Sequence, residues 1–141
     1  MRGPKAAMPG EPVLVVDDNP ANLKLARVLL GSEGYDVRTA SDAEEALALL
    51  THFHPEVILM DIQLPGMDGL ELTRRLKADP KTRGIAILAL TAYAMKGDEE
   101  RMLAAGCDGY MAKPIDAKRL GEQLAAMIRG QKAAERRRPE R

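Results

Sequence analysis

The chain has 141 residues, a length typical of one compact domain. Apolar residues make up 45% of it, which is too many for a disordered chain, and aromatic residues only 3%, so aliphatic side chains must fill the core. Lys plus Arg and Asp plus Glu both number 21, and this balance argues against a domain whose main task is to bind the phosphate backbone of nucleic acid.

The cysteine content and the N-terminus restrict the class further. Cys107 is the single cysteine, so it cannot form an internal disulfide and is expected to pack as a small hydrophobic residue. No apolar run has the length of a membrane span, and the N-terminus lacks the apolar segment of a secretory signal. We therefore expect a cytoplasmic protein that makes no direct contact with membranes or nucleic acid.

Short apolar runs alternate with helical patterns along the chain. The runs cover residues 13–16, 35–39, 57–60, 85–90 and 109–112. The first, third and fourth are apolar throughout, which is typical of parallel strands covered on both faces. The second and fifth are weaker and are expected towards the edges of the sheet.

A helical pattern follows each apolar run. Pro20 favours the start of the first helix, and the spacing of a capping box predicts that Asp42 and Asp68 precede the second and third. The fourth pattern covers residues 96–105 and the fifth covers residues 116–129. This alternation predicts an α/β fold of the (βα)₅ type, a three-layer sandwich around a central five-stranded parallel sheet.

The two ends of the chain are expected to lie outside the folded domain. Residues 1–11 are rich in Gly, Pro and Ala and are interpreted as a flexible lead-in. Residues 12–129 form the predicted domain, and residues 130–141 are interpreted as a disordered basic tail. The run Arg136 to Arg138 could contact nucleic acid, but so short a basic patch is more often a solubilising tail.

Polar residues stand where four of the predicted strands end. Asp17 and Asp18 follow the first strand, Asp61 the third, Thr91 the fourth and Lys113 the fifth. Ligands of open parallel sheets bind beyond these carboxyl ends, and the first and third strands are neighbours in this topology, so the carboxylates should converge. Their mutual repulsion calls for a cation, and Mg²⁺ fits because it takes oxygen ligands and keeps several waters.

Each of these residues has an ordinary explanation when it is taken singly. Two acids after a strand are often a polar turn, a threonine can cap the next segment, and a lone lysine is usually solvated. Their conjunction at four strand ends indicates instead a site for a phosphoryl group. Lys113 would pair first with Asp61 and then with a phosphoryl oxygen, to which Thr91 would donate its hydroxyl.

The motifs around these positions resemble the receiver domain of two-component response regulators, the CheY-like superfamily with its flavodoxin-like fold. The resemblance covers residues 13–129, and the stretch 91–108 is most similar to stand-alone DivK-like receivers and the receivers of hybrid kinases. The motifs are Leu14-Val15-Val16-Asp17-Asp18-Asn19, Met60-Asp61-Ile62-Gln63-Leu64-Pro65-Gly66-Met67-Asp68-Gly69, Leu90-Thr91-Ala92 and Lys113-Pro114.

The resemblance implies a phosphoacceptor and a metal site. Asp61 would accept the phosphoryl group. Asp18, Asp61 and the backbone carbonyl of Gln63 would bind Mg²⁺, with Mn²⁺ as an alternative ion, while Asp17 would act through a metal-bound water. Such a domain is a phosphorylated switch rather than an enzyme, although it assists its own phosphorylation and slow dephosphorylation.

The resemblance also implies residues that bind the phosphoryl group and report its presence. Thr91, Ala92 and Lys113 would contact its oxygens, and the peptide bond before Pro114 would be cis. Tyr110 matches the switch aromatic, which rotates inward when the threonine moves, although a half-buried edge aromatic is an equally ordinary reading of it.

Two further expectations concern lifetime and partners. Gln63 and Tyr93 stand two residues after Asp61 and Thr91, where they would flank the path of the hydrolytic water and tune the lifetime of the acyl phosphate. The donor would be a histidine kinase or histidine phosphotransferase. A downstream protein would bind the face formed by the fourth helix, fifth strand and fifth helix, and the chain would be a monomer or a weak phosphorylation-dependent dimer.

Other interpretations are kept beside this one. A Mg²⁺-dependent hydrolase of the haloacid-dehalogenase type needs a second Asp two residues after a nucleophile on the first strand, where this chain has Asn19. A flavodoxin-like cofactor binder needs a phosphate loop there instead of acids. The chain could also be the receiver part of a longer regulator or hybrid kinase, although a single-domain protein is preferred.

Overall fold

Strands and helices alternate along the chain in a computed structural model that describes residues 10–92, 96–113 and 115–137. The strands are β1 (Pro12–Val16), β2 (Asp36–Ala40), β3 (Val57–Asp61), β4 (Ala86–Thr91) and β5 (Gly109–Ala112). The helices are α1 (Pro20–Ser32), α2 (Ala43–Leu49), α3 (Gly69–Ala78), α4 (Lys96–Ala105) and α5 (Ala117–Arg137). The predicted (βα)₅ alternation is confirmed.

The strands form one parallel sheet in the order β2-β1-β3-β4-β5. The three strands with continuous apolar sequences, β1, β3 and β4, occupy the interior, and the two weaker ones lie at the edges as predicted. Every residue of β3 and β4 is buried. A central strand has helices above and below it, so neither of its faces tolerates polar side chains.

Two apolar layers enclose the sheet. Leu14 and Val16 point into the layer beneath α2, α3 and α4, whereas Val13 and Val15 point into the layer beneath α1 and α5. This alternation follows from the two-residue period of a strand. Helix α5 contributes three side chains at four-residue spacing, all of them buried in the second layer: Leu120, Leu124 and Ile128.

The helix starts follow the predicted caps. Asp42 and Asp68 precede α2 and α3, and each carboxylate accepts a backbone N–H three residues later at 2.8 Å. The Glu45 side chain accepts from the backbone of Ser41 at 2.7 Å, one residue earlier than a standard capping box would place that bond. Each cap stabilises its helix by about 1 kcal/mol.

Helix α5 is longer than the sequence pattern predicts. It continues to Arg137 instead of ending at Arg129, so the expected disordered tail is wrong for residues 130–137. Residues 131–137, after Gly130, are good helix formers, and the Gln131 amide donates to the carbonyl oxygen of Gly84 at 2.6 Å. The tail beyond Arg137 lies outside the described residues.

The N-terminal boundary also differs slightly. Gly10 donates its N–H to the Gly34 carbonyl at 2.7 Å, and Glu11 is buried, so the ordered part begins before Pro12. Residues 1–9, most of the expected lead-in, lie outside the described residues. None of the helices in the described part is both long and apolar enough to cross a membrane.

Candidate metal and phosphoacceptor site

The fold brings the three acidic residues together at the carboxyl edge of the sheet. Asp17 and Asp18 follow β1, Asp61 ends β3, and the two strands pair directly. One carboxylate oxygen from each residue lies within 4.8 Å of those of the other two. Asp17 and Asp61 are buried, with 1% and 3% of their surface exposed, whereas Asp18 faces solvent.

Lys113 reaches this cluster from the end of β5. Its Nζ atom lies 3.2 Å from Oδ2 of Asp61 and 3.4 Å from Oδ2 of Asp17. The predicted ion pair with Asp61 is therefore present, and it is shared with Asp17. One ammonium cannot neutralise three carboxylates, so the cluster keeps an excess of negative charge.

The pKa of Asp61 depends on this excess of negative charge and on burial. Burial raises the pKa of Asp61 above its ordinary value, and repulsion by Asp17 raises it further. The Gln63 N–H, which donates to Oδ1 at 3.0 Å, and the Lys113 ammonium act in the opposite direction. The net effect is a raised pKa, so the ionised Asp61 carboxylate is less stable here than in water, and a cation bound beside it would stabilise it.

The donor set fits Mg²⁺. Carboxylate oxygens are the hard ligands that this ion prefers, and an exposed Asp18 leaves room for the waters that it retains. A soft or strongly bound transition metal would be expected to recruit His or Cys. Among the described residues, the exposed His52 and His54 and the buried Cys107 do not join the acidic cluster.

The phosphoryl-binding candidates surround the same cleft. Thr91 ends β4, is 2% exposed, and stands one residue after the strand partner of Asp61. Its carbonyl oxygen accepts the N–H of Lys113 at 2.7 Å, which ties the ends of β4 and β5 together. Ala92 follows at the surface. Tyr93 and Pro114, expected at the hydrolysis path and a cis bond, lie outside the described residues.

Tyr110 connects β5 to α4. Its ring is half-buried against the layer beneath α2, α3 and α4, and its strand partner is Ala89. Burial raises the pKa of Tyr110, and the Glu99 carboxylate, which accepts a hydrogen bond from the hydroxyl, raises it further. The hydroxyl is thereby held on the α4 side of the sheet.

Two features of the site were not foreseen from the sequence. A Cβ on Gly69 would overlap the carbonyl oxygen of Asp61, because α3 begins directly against the end of β3. The Asn22 side chain donates to Oδ2 of Asp17 at 3.2 Å. Position alone could have pointed to Asn22, which stands in the first turn of a helix that follows two acids.

The chain matches the model of the "Response regulator receiver domain" over residues 13–125. It is 46% identical over 116 residues to the polar-differentiation response regulator DivK of Brucella ovis, covering 82% of this chain and 94% of the relative. The Brucella anthropi protein of the same name is 45% identical over the same length.

Solved structures give the same assignment. A CheY-like receiver from Methanospirillum hungatei superposes with a TM-score of 0.82 at 31% identity, covering 89% of this chain and 98% of the other. The receiver of the Pseudomonas aeruginosa sensor histidine kinase PA1611, described with magnesium in its active-site cleft, gives 0.78 at 38%, covering 84% and 98%. The dehalogenase-like and cofactor-binding interpretations find no support in these matches, and the chain belongs to the receiver-domain family of two-component response regulators.

Proposed function

We propose that this receiver is phosphorylated on Asp61, and that Asp17 and Asp18 complete a Mg²⁺ site beside that residue. The observation that carries the proposal is the shared cluster: three carboxylates within 4.8 Å of one another, with Lys113 in contact with two of them. Family membership adds that the group comes from the histidine of a kinase or phosphotransferase.

The proposed reaction is an in-line transfer. A carboxylate oxygen of Asp61 attacks the phosphorus, the phosphorus–nitrogen bond to the donor histidine breaks, and the histidine nitrogen takes up a proton. The Lys113 ammonium supports the ionised form of Asp61, so the attack needs no general base. Bound Mg²⁺ would supply positive charge that offsets the negative charge of the transferring phosphoryl group.

Backbone and side chains of this chain would hold the product. Lys113 and the Thr91 hydroxyl turn to the new phosphoryl oxygens, and the N–H of Ala92 adds a further donor. Asp18, Asp61 and the Gln63 carbonyl would hold the metal directly, and Asp17 would act on it through a water. Mn²⁺ could replace Mg²⁺, because it accepts the same oxygen ligands.

The acyl phosphate would end by hydrolysis. Water attacks the phosphorus, inorganic phosphate leaves, and the Asp61 carboxylate is restored. The exposed Gln63 side chain and Tyr93 are proposed to control the access of this water. Slower access gives a longer-lived signal, so Tyr93→Ala should accelerate the decay of the phosphorylated protein.

The output would pass through Tyr110. Movement of Thr91 towards the phosphoryl group opens space next to β4, and Tyr110 would leave Glu99 and rotate into it. This changes the surface formed by α4, β5 and α5, where we propose that the downstream protein binds. Leu103 of α4, which is 51% exposed, offers an apolar contact on that side.

The donor protein would approach from the other side of the cleft. Helix α1 starts two residues after Asp18, and its Leu25 and Val28 are 42% and 59% exposed. Large aliphatic side chains left in water next to a reactive cleft favour contact with a protein that must reach that cleft. We therefore assign α1 to the histidine-bearing partner.

The direct test is phosphorylation of the full chain by a small phosphodonor, followed on a phosphate-retarding gel. Wild type with Mg²⁺ should give a shifted band that EDTA abolishes. Asp61→Asn should give none, whereas Asp36→Asn, which removes an acid on the edge strand β2, should behave as wild type. A Mg²⁺-dependent shift of equal intensity in Asp61→Asn would overturn the proposal.

A further inference from the structure

Asp17 is the most enclosed carboxylate of the cleft and is held from several directions. Its Oδ1 atom accepts the backbone N–H of Asn19 at 2.9 Å. Its Oδ2 atom accepts the side-chain amide of Asn22 at 3.2 Å and lies 3.4 Å from Nζ of Lys113. With 1% of its surface exposed, Asp17 depends on these donors instead of on bulk water.

The three donors differ in what they can do during the reaction. The Asn19 N–H is fixed by the backbone. Lys113 is shared with Asp61 and, in the proposed mechanism, turns to the phosphoryl group. Asn22 is neutral and is not drawn to the phosphoryl group, so its hydrogen bond to Asp17 can persist throughout the cycle. A neutral donor also leaves the negative charge of Asp17 available to a metal ion.

The position of Asn22 explains how this contact arises. Asn19 is the N-cap of α1, and Asn22 stands three residues later, where a capping box would bond back to the cap backbone. Here the N–H of Asn19 and the amide of Asn22 both turn to Asp17. A carboxylate at a helix N-terminus is also favoured by the helix dipole.

We propose that Asn22 is a positioning residue of the metal site, which holds Asp17 in the rotamer that faces the cation and attaches α1 to the cleft. The inference rests on the proposed function, because it takes Asp17 to be part of the Mg²⁺ site. Partners that orient metal-binding groups typically change metal affinity by about 10–100-fold when they are removed. Since Asp17 is proposed to act through water, the lower end of that range applies.

The test is a Mg²⁺ titration of the full chain, monitored by NMR at constant ionic strength, with urea unfolding of each variant in EDTA. Asn22→Ala should raise the Kd for Mg²⁺ roughly tenfold. Alanine is the better helix former, which offsets part of the lost hydrogen bond to the buried Asp17, and unfolding in EDTA measures the remaining stability change separately from the Kd.

Asn19→Ala is the matched control. It removes the side chain that caps α1 by accepting from the Ala21 N–H at 2.8 Å, but it leaves the side-chain donors of Asp17 in place. It should therefore lower stability and keep the Kd within about twofold of wild type. An equal Kd for Asn22→Ala and wild type, or a rise no larger than that of Asn19→Ala, would overturn the role of Asn22.

A second comparison separates this inference from the function on which it rests. Asp17→Asn should weaken Mg²⁺ at least as much as Asn22→Ala, because it removes the charge that Asn22 orients. If Asp17→Asn weakens Mg²⁺ and Asn22→Ala does not, the positioning role alone fails. If wild type shows no saturable Mg²⁺ binding, the proposed function fails with it.

Discussion

The carboxyl edge of the sheet, where the parallel strands end, and the amino edge, where they begin, differ in how their charged side chains are paired. At the carboxyl edge, Asp17, Asp18 and Asp61 lie together, and the Lys113 ammonium contacts two of them, Asp17 and Asp61. At the amino edge, Lys77 donates to the Ile85 carbonyl at 2.8 Å and to Oδ2 of Asp108 at 3.0 Å.

The amino-edge pair is also satisfied by its surroundings. Oδ2 of Asp108 accepts the N–H of Ile87 at 2.8 Å, and Lys77 makes a longer bond of 3.3 Å to the Arg83 carbonyl. The same residue types therefore form a saturated structural pair at one edge and an electrostatically frustrated cluster at the other. Its unbalanced negative charge leaves the carboxyl edge suited to a cation, whereas the pair at the amino edge stabilises the fold.

Breaking the balanced edge should have the largest effect on stability. Lys77→Met keeps the aliphatic packing but leaves the Ile85 and Arg83 carbonyls without this donor, so the free energy of unfolding should fall by about 2 kcal/mol. The ion pair itself adds little, because Asp108 is 45% exposed. Urea unfolding measures the change, and a loss below about 0.5 kcal/mol would contradict this view of the amino edge. The Mg²⁺ affinity should not change.

Removing one charge from the carboxyl edge should raise the stability of the protein instead of lowering it. Because the folded-state pKa of Asp61 is raised, ionisation costs stability as the pH rises from the unfolded value, near 4, through the folded value. Asp61→Asn removes this cost, so in EDTA it should be more stable than wild type at neutral pH. The difference should disappear towards pH 4.

Urea unfolding between pH 4 and 8 measures this difference, with Asp36→Asn as the control for loss of an acid elsewhere. Saturating Mg²⁺ should reverse the ranking at neutral pH, because the ion stabilises the folded wild type by mass action. A variant that is less stable than wild type at every pH in EDTA would show that the Asp61 carboxylate is fully compensated by Lys113 and Gln63.

The smallest effect is expected at Tyr110, which connects β5 to Glu99 of α4. Tyr110→Phe removes the hydrogen bond to Glu99 while it keeps the ring, and should lower the stability of the unphosphorylated protein only slightly. Because it releases the ring from the α4 side, it should also raise the affinity of the unphosphorylated protein for its downstream partner. Unchanged affinity in both phosphorylation states would separate Tyr110 from the output.

The sequence predicted the fold because its signals were local and repeated. Continuous apolar runs marked β1, β3 and β4, and polar residues at the strand ends converged because all strands are parallel. The end of α5 was missed because Gly130, a residue type common at helix ends, follows Arg129, and because the Gln131 contact that supports the longer helix joins segments far apart in the chain. Such a contact leaves no periodic signal.

Prediction of the site from the sequence had a similar limit. The types and order of Asp17, Asp18, Asp61 and Lys113 were sufficient to predict a shared cleft. The sharing of Lys113 between Asp17 and Asp61 was not predictable, because the two distances from its Nζ atom, 3.4 and 3.2 Å, depend on where the side chains lie within the cleft.

The most direct test of the account identifies the phosphorylated side chain itself. The chain is phosphorylated with Mg²⁺ present, the acyl phosphate is reduced with borohydride to homoserine, and the peptides are read by mass spectrometry. Conversion is expected at Asp61, with Asp17 and Asp18 unchanged. Conversion at Asp17 or Asp18, or stable phosphate on another residue while Asp61 stays intact, would contradict it.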